Sequence, residues 1–128
     1  MGLINVTCAI ILMGEKTLVV QRNENMLLPL KWEFPGGKIE KEESEEDCIL
    51  REIKEELNIN IELISRLTPS NFDYPNFSIQ LIPFTAKYLD GNIKLSDHKQ
   101  YQLLKKDELK DLDWAKADIP ILNEYLEL

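Results

Sequence analysis

The chain has 128 residues, 44% of them hydrophobic, which suits one compact domain over residues 1–128 and leaves little room for a second. Its formal net charge is −8 and its pI about 4.7, so its surface offers no long-range attraction to a nucleic-acid polymer or an anionic membrane. A small phosphorylated ligand fits such a charge only where something local, such as a metal ion, supplies positive charge.

Two cysteines, Cys8 and Cys48, lie in an apolar run and a helical pattern without CxxC spacing. They read as small core residues of a protein in a reducing compartment. The longest apolar run, Val6 to Met13, is too short to span a bilayer and lacks the flanks of a signal peptide. A cytoplasmic protein is therefore expected.

Residues 3–13 are rich in Ile and Val and predict a buried strand. Gly14-Glu15-Lys16 is a turn candidate, and T-L-V-V-Q-R at 17–22 completes a hairpin. Residues 23–31 show no regular pattern. W-E-F-P-G-G-K-I-E at 32–40 then packs a proline and two glycines into an unusual backbone path. A helix follows, with Ser44 as N-cap and Asp47 three residues on in a capping-box pattern. Its buried stripe is Ile49, Leu50, Ile53 and Leu57, and Asn58 is its left-handed stop.

Strands are expected at 61–67 and 77–89, with Asp90-Gly91 turning into a short strand at 93–95 and another following at 101–104. A short helix starts near Asp107 and a last one after Asp118, where Pro120 suits the first turn. Strands around one well-defined helix, closed by a terminal helix, make a mixed α/β domain.

Within the central helix, R-E-I-K-E-E-L at 51–57 sets Glu52, Glu55 and Glu56 three and four positions apart, along the border between apolar stripe and solvent. Like charges at that spacing repel by roughly 0.2–0.5 kcal/mol per pair in an isolated helix. Taken alone the cluster is equally well a solvated face, relieved by Arg51 and Lys54. The residues before it change the balance. Gly36-Gly37 lets the backbone approach a ligand or expose a carbonyl. Mg²⁺ takes hard oxygen ligands, usually a few carboxylates plus substrate phosphates. Helix carboxylates and a loop carbonyl meet that demand, and a divalent ion replaces the missing cations.

Gly37, five residues, Glu43, seven residues and then Arg51-Glu52-Ile53-Lys54-Glu55-Glu56-Leu57-Asn58-Ile59 resembles the signature of the Nudix hydrolases, G-x5-E-x7-R-E-U-x-E-E-x-G-U with U aliphatic. One position departs: Asn58 stands where the family has Gly, and Asn tolerates the left-handed conformation that stops the helix. Gln21-Arg22, the 32–40 segment, Tyr74-Pro75 and A-D-I-P-I-L at 117–122 are similar to the MutT-type branch, so the resemblance spans essentially the whole chain. That branch includes oxidised-nucleotide and CTP pyrophosphohydrolases.

The resemblance implies the Nudix fold of the α/β (α+β) class, a mixed β-sheet sandwiched between α-helices with a loop–helix–loop catalytic motif. It implies conversion of a nucleoside triphosphate to the monophosphate and pyrophosphate, on oxidised nucleotides such as 8-oxo-dGTP or on (d)CTP-type pyrimidine nucleotides, in nucleotide-pool cleaning linked to DNA repair or in pyrimidine metabolism. The alternatives are hydrolysis of ADP-ribose or a dinucleoside polyphosphate, or binding without turnover. Mg²⁺, or Mn²⁺, would be held by Glu52, Glu55, Glu56 and the Gly36 carbonyl. Glu52, or Asp97 from a later loop, would help deprotonate the attacking water. Asp97-His98 stands where relatives often have Glu-His, and the shorter side chain leaves metal contact by Asp97 open; His98, the lone histidine, is expected at the surface.

By the same resemblance Arg51 would orient the glutamates, while Gly37 and Glu43 would support the loop–helix junction. Arg22 and Lys38 would contact phosphates. Phe34, Tyr74 and Ile79 would form the base pocket, although core packing explains Phe34 and Ile79 equally well. Asp118 would read the base edge or cap the terminal helix. The protein would act as a monomer or weak homodimer.

Overall fold

The computed structural model describes residues 2–128. Strand β1 (Leu3–Met13) explains why its sequence is apolar without a break. The period of two sends Cys8 and Ile10 into one core and Ala9 and Ile11 into another, so both faces of the strand are buried. β2 (Lys16–Gln21) returns antiparallel to β1 through a turn in which Gly14 has φ +65°. β7 (Phe77–Asp90) lies parallel to β1 on its other side.

The eight-stranded sheet runs β3 (Trp32–Glu33), β2, β1, β7, β5 (Asn60–Arg66). β4 (Gly36–Lys38) pairs with β1, β6 (Ser70–Tyr74) with β7, and β8 (Gln100–Leu104) with β2. Only the β1–β7 pair is parallel among these strand pairs, so the sheet is mixed.

Helices cover both faces. On one, Ile49, Ile53 and Leu57 of α1 (Glu45–Leu57) pack with Ile11, Val20 and Phe84. On the other, 3₁₀ segments at Lys106–Asp111 and Lys116–Asp118 lead to α2 (Ile119–Leu126), whose Ile121 and Tyr125 pack with Ile10 and Val19. Burying each such aliphatic side chain contributes about 1.5–3 kcal/mol. This is the expected sandwich. Both cysteines are buried and free, as their spacing predicts. Among the described residues no helix is long and apolar enough to cross a membrane.

The central helix forms where expected, with one correction to its packed face. The Asp47 N–H donates to Ser44 Oγ at 3.0 Å, which is one arm of the predicted capping box. Leu50 is 41% exposed, and Cys48 takes its place in the packed face. Asn58 adopts φ 61°, ψ 31° and its N–H donates to the Lys54 carbonyl at 3.0 Å, so the glycine of the signature is not needed to stop the helix.

Elsewhere, residues 93–95 are not a strand. The Lys94 and Ser96 N–H groups donate instead to the Leu57 and Glu56 carbonyls, which the end of α1 leaves without helical partners. β6 was not expected: Asn71 and Asp73 are poor strand formers, and the strand is made by pairing with β7 across the two-residue connection Pro75-Asn76. The helix expected near Asp107 is the first 3₁₀ segment.

Candidate active site

The site begins where β4 closes on β1. A Cβ on Gly36 would lie 1.9 Å from the Thr7 carbonyl oxygen, so this contact admits glycine alone. The Ala9 N–H donates to the Pro35 carbonyl and the Ile39 N–H to that of Asn5, so odd-numbered residues of the segment face β1. Ladder alternation therefore turns the Gly36 carbonyl away from β1. A Cβ on Gly37 would meet Glu52 Oε2 at 2.1 Å, which is how the second glycine makes room for the helix carboxylates.

The glutamates are not strung along a solvent border. At about 100° per residue, Glu52 and Glu56 fall inside the arc that Cys48, Ile49 and Ile53 bury. Their side chains are only 15% and 22% exposed, while that of Glu55 is 59% exposed.

One guanidinium organises the outer side of this ridge. Arg51 Nε and Nη2 donate to the two Glu43 oxygens at 2.6 and 2.9 Å, and Nη1 donates to Glu52 Oε1 at 2.6 Å and Glu55 Oε2 at 3.1 Å. Nη2 also reaches the Lys38 carbonyl at 3.2 Å, tying β4 to the helix. Hydrogen bonds from Arg51 lower the Glu43 carboxyl to about 2. Because Glu52 and Glu55 turn toward Arg51, three acidic groups do not converge on one point among the described residues.

The inner side lacks such compensation. Glu56 Oε2 and His98 Nδ1 are the two buried side-chain polar atoms without a hydrogen-bond partner among the described residues, and they lie 3.6 Å apart. Burial, followed by the charges of Glu52 and Glu33, pushes the Glu56 carboxyl up to about 8. A half-buried carboxylate with one buried, orphaned oxygen, beside further carboxylates and a free carbonyl, matches the donor set of a hard divalent cation. The residues present fit such an ion.

The ridge borders a cavity of about 390 Å³, lined also by Arg22, Gly36, Gly37 and Lys38. Arg22 is not free there: its Nη1 donates to both oxygens of Glu33 at 3.0 and 3.2 Å. Lys38 is exposed. Phe34, Tyr74, Ile79 and Asp118 line the same cavity, so the structure brings the phosphate and base candidates together. Phe34 is buried and its ring centroid lies 4.7 Å from that of Trp114, so it serves the core as well as the cavity. Tyr74 Oη accepts the Ala117 N–H at 3.0 Å.

Asp118 departs from its capping role. It precedes α2 but makes no side-chain cap bond; its Oδ2 accepts the Phe34 N–H at 3.0 Å instead. Burial first, and the Glu33 charge second, raise this carboxyl well above the usual carboxylate range.

The loop after β7 adds two residues, of which His98 differs from expectation. Asp97 is exposed, and its carbonyl accepts from Asn23 Nδ2 at 2.6 Å; its charge acts on Glu56 only as one of several that raise it. His98 is buried, with a side chain 3% exposed, and its Nε2 lies 2.8 Å from Glu33 Oε2. The loop is pinned on each side, by Ser96 N–H to the Glu56 carbonyl and Lys99 N–H to the Gln21 carbonyl, and the ring is carried inward. Glu33 was missed altogether. The available signal was a lone charge between Trp32 and Phe34 in a strand, where alternation aims it away from its apolar neighbours.

A model of the NUDIX domain matches residues 3–125. The chain is 29% identical over 128 residues to the CTP pyrophosphohydrolase of Escherichia coli, covering 100% of this chain and 95% of that protein. It is 30% identical over 92 residues to the 8-oxo-dGTP diphosphatase of Buchnera aphidicola, covering 72% of this chain and 74% of that one. Among solved structures, the DNA mismatch repair protein MutT (family Nudix hydrolase) from methicillin-resistant Staphylococcus aureus 252 superposes with a TM-score of 0.80 at 38% identity, over 98% of this chain and 97% of that one. By sequence and by fold the chain belongs to the Nudix hydrolase family, enzymes that act on nucleotide pyrophosphate bonds and generally use divalent metal ions.

Proposed function

We propose that this Nudix hydrolase is a metal-dependent nucleoside triphosphate pyrophosphohydrolase, a single domain over residues 1–128 that releases a nucleoside monophosphate and pyrophosphate. Its substrates in this reading are oxidised nucleotides such as 8-oxo-dGTP or (d)CTP-type pyrimidine nucleotides. The names of the Escherichia coli and Buchnera relatives support both choices. The observation that carries the reading is the uncompensated Glu56 carboxyl beside a cavity that also holds Asp118 and Phe34.

Glu52, Glu55 and Glu56, with the Gly36 carbonyl, would hold Mg²⁺ or Mn²⁺. When bound, such an ion polarises phosphoryl oxygens and lowers the pKa of water. Glu52 takes the proton of the attacking water, with Asp97 as the second candidate for that task. Arg51 keeps the carboxylates in register through Glu43 and does not touch substrate. Arg22 and Lys38 offer positive charge to the phosphate chain. Phe34, Tyr74 and Ile79 enclose the base. Asp118, with Oδ2 engaged by Phe34, has Oδ1 left to read the base edge.

The test is kcat/KM with Mg²⁺ across 8-oxo-dGTP, dGTP, CTP and 5-methyl-dCTP, with identification of monophosphate and pyrophosphate as products. One of the oxidised or cytosine nucleotides is expected to lead. Higher kcat/KM for ADP-ribose or a dinucleoside polyphosphate would overturn the substrate class, and no turnover of any nucleotide would overturn the enzymatic reading.

A further inference from the structure

The buried histidine is tied to no role so far, yet its own orphaned nitrogen lies 3.6 Å from the orphaned oxygen of Glu56. Its Nε2 is backed by Glu33 at 2.8 Å, and Glu33 is itself held by two hydrogen bonds from Arg22. Its backbone is fixed on both sides, by the Ser96 and Lys99 N–H groups and by the Asn23 amide on the Asp97 carbonyl. The ring therefore has little freedom. Nδ1 points at Glu56 Oε2 across 3.6 Å, longer than a formed hydrogen bond, and neither atom has another partner among the described residues.

We infer that His98 is a positioning residue for Glu56: clamped from behind by Glu33, its ring holds that carboxylate in the pose from which it meets a divalent ion. The inference rests on the reading of Glu56 as a metal ligand and adds to it the group that orients the ligand. Partners of this kind fix ligand geometry, and their loss typically weakens metal binding. His98 also links the two functions of the cavity, because the chain Arg22–Glu33–His98–Glu56 runs from a phosphate candidate to the ridge.

A histidine that merely fills the cavity wall predicts something different, and substitution by shape separates the two. Asparagine places its amide near the Nδ1 position and so keeps a polar group toward Glu56. Glutamine reaches the Nε2 position and keeps only the contact to Glu33. Mn²⁺ binding to the full chain, without nucleotide, is read from the electron paramagnetic resonance signal of free ion for wild type, His98→Asn, His98→Gln and His98→Ala, with circular dichroism confirming the fold.

His98→Asn is expected to stay near wild-type affinity, while His98→Gln and His98→Ala weaken Mn²⁺ by about tenfold or more. With a nucleotide that the wild type turns over, kcat of those two should fall at low Mn²⁺ and recover as Mn²⁺ is raised, with nucleotide KM unchanged. Equal affinity in all four proteins, or His98→Gln matching His98→Asn, would overturn the positioning role while leaving Glu56 as a ligand. Wild type that binds no Mn²⁺ would overturn both. Should His98→Ala fail to fold, the ranking of Asn against Gln decides.

Discussion

Two groups of carboxylates meet around one helix and end in opposite electrostatic states. Around Arg51, Glu43 is hydrogen-bonded by a guanidinium and held at about 2. Five residues beyond Arg51, Glu56 is largely buried, 22% exposed, beside Glu52 and Glu33 with no cation in contact, and is pushed up to about 8. Residue type is the same; the difference is whether the protein supplies the counter-charge itself. Where it does, the carboxylates brace the loop–helix junction. Where it does not, the deficit marks the place for an ion from outside.

The largest expected effect breaks the contrast at its hinge. Glu52 contacts Arg51 yet belongs to the inner group, and Glu52→Gln should lower kcat about 10²-fold or more, roughly 3 kcal/mol or above. A drop under about tenfold would remove Glu52 from the central role.

Next comes the uncompensated carboxyl. The folded-state pKa of Glu56, about 8, lies above the ordinary 4.5, so its contribution to stability is fully present below 4.5 and is lost as pH rises through 8. Metal-free wild type should therefore melt lower at pH 8 than at pH 5.5, and Glu56→Gln should recover on the order of 2–3 kcal/mol at pH 8. Mg²⁺ should raise the wild-type Tm, more at pH 8 than at pH 5.5, and should raise that of Glu56→Gln little. A wild-type Tm indifferent to both pH and Mg²⁺ in this range would contradict the contrast.

Asp118 sharpens it from the base side. Asp118→Ala should lower kcat/KM by about ten- to a hundredfold, as expected for a lost buried hydrogen bond. Asp118→Asn, which keeps an acceptor for the Phe34 N–H and adds a donor as a neutral acid would, should lose far less. Equal losses would mean that an ionised Asp118 reads the base.

The smallest effect concerns the compensated group. Glu43 is held below its ordinary 4.5, so its contribution is present above 4.5 and disappears as pH falls to about 2. Wild type should lose more thermal stability between pH 5 and pH 2.5 than Glu43→Gln does.

Much of this was legible because it is local. The capped helix, the Asn58 stop and the close glycine pair follow from backbone preferences of the residues themselves. What escaped depended on distant partners. β6 exists because β7 pairs with it, and residues 93–95 leave the sheet because the end of α1 needs donors. The surroundings of Glu56 and His98 escaped for a related reason: the helical wheel places Glu56 inside the apolar arc only once Cys48 counts as buried, and nothing local shows that residues 94–98 will pack against it. Asp118 looked like a cap, and only the approach of the Phe34 N–H shows it turned inward.

The most direct measurement is the anomalous diffraction of crystals soaked with Mn²⁺ and a non-hydrolysable nucleoside triphosphate. The account predicts an ion bound by the Gly36 carbonyl and the glutamates of α1, facing the phosphates, with Glu52 drawn away from Arg51. Nucleotide seated in the cavity with no ion at those carboxylates would contradict it.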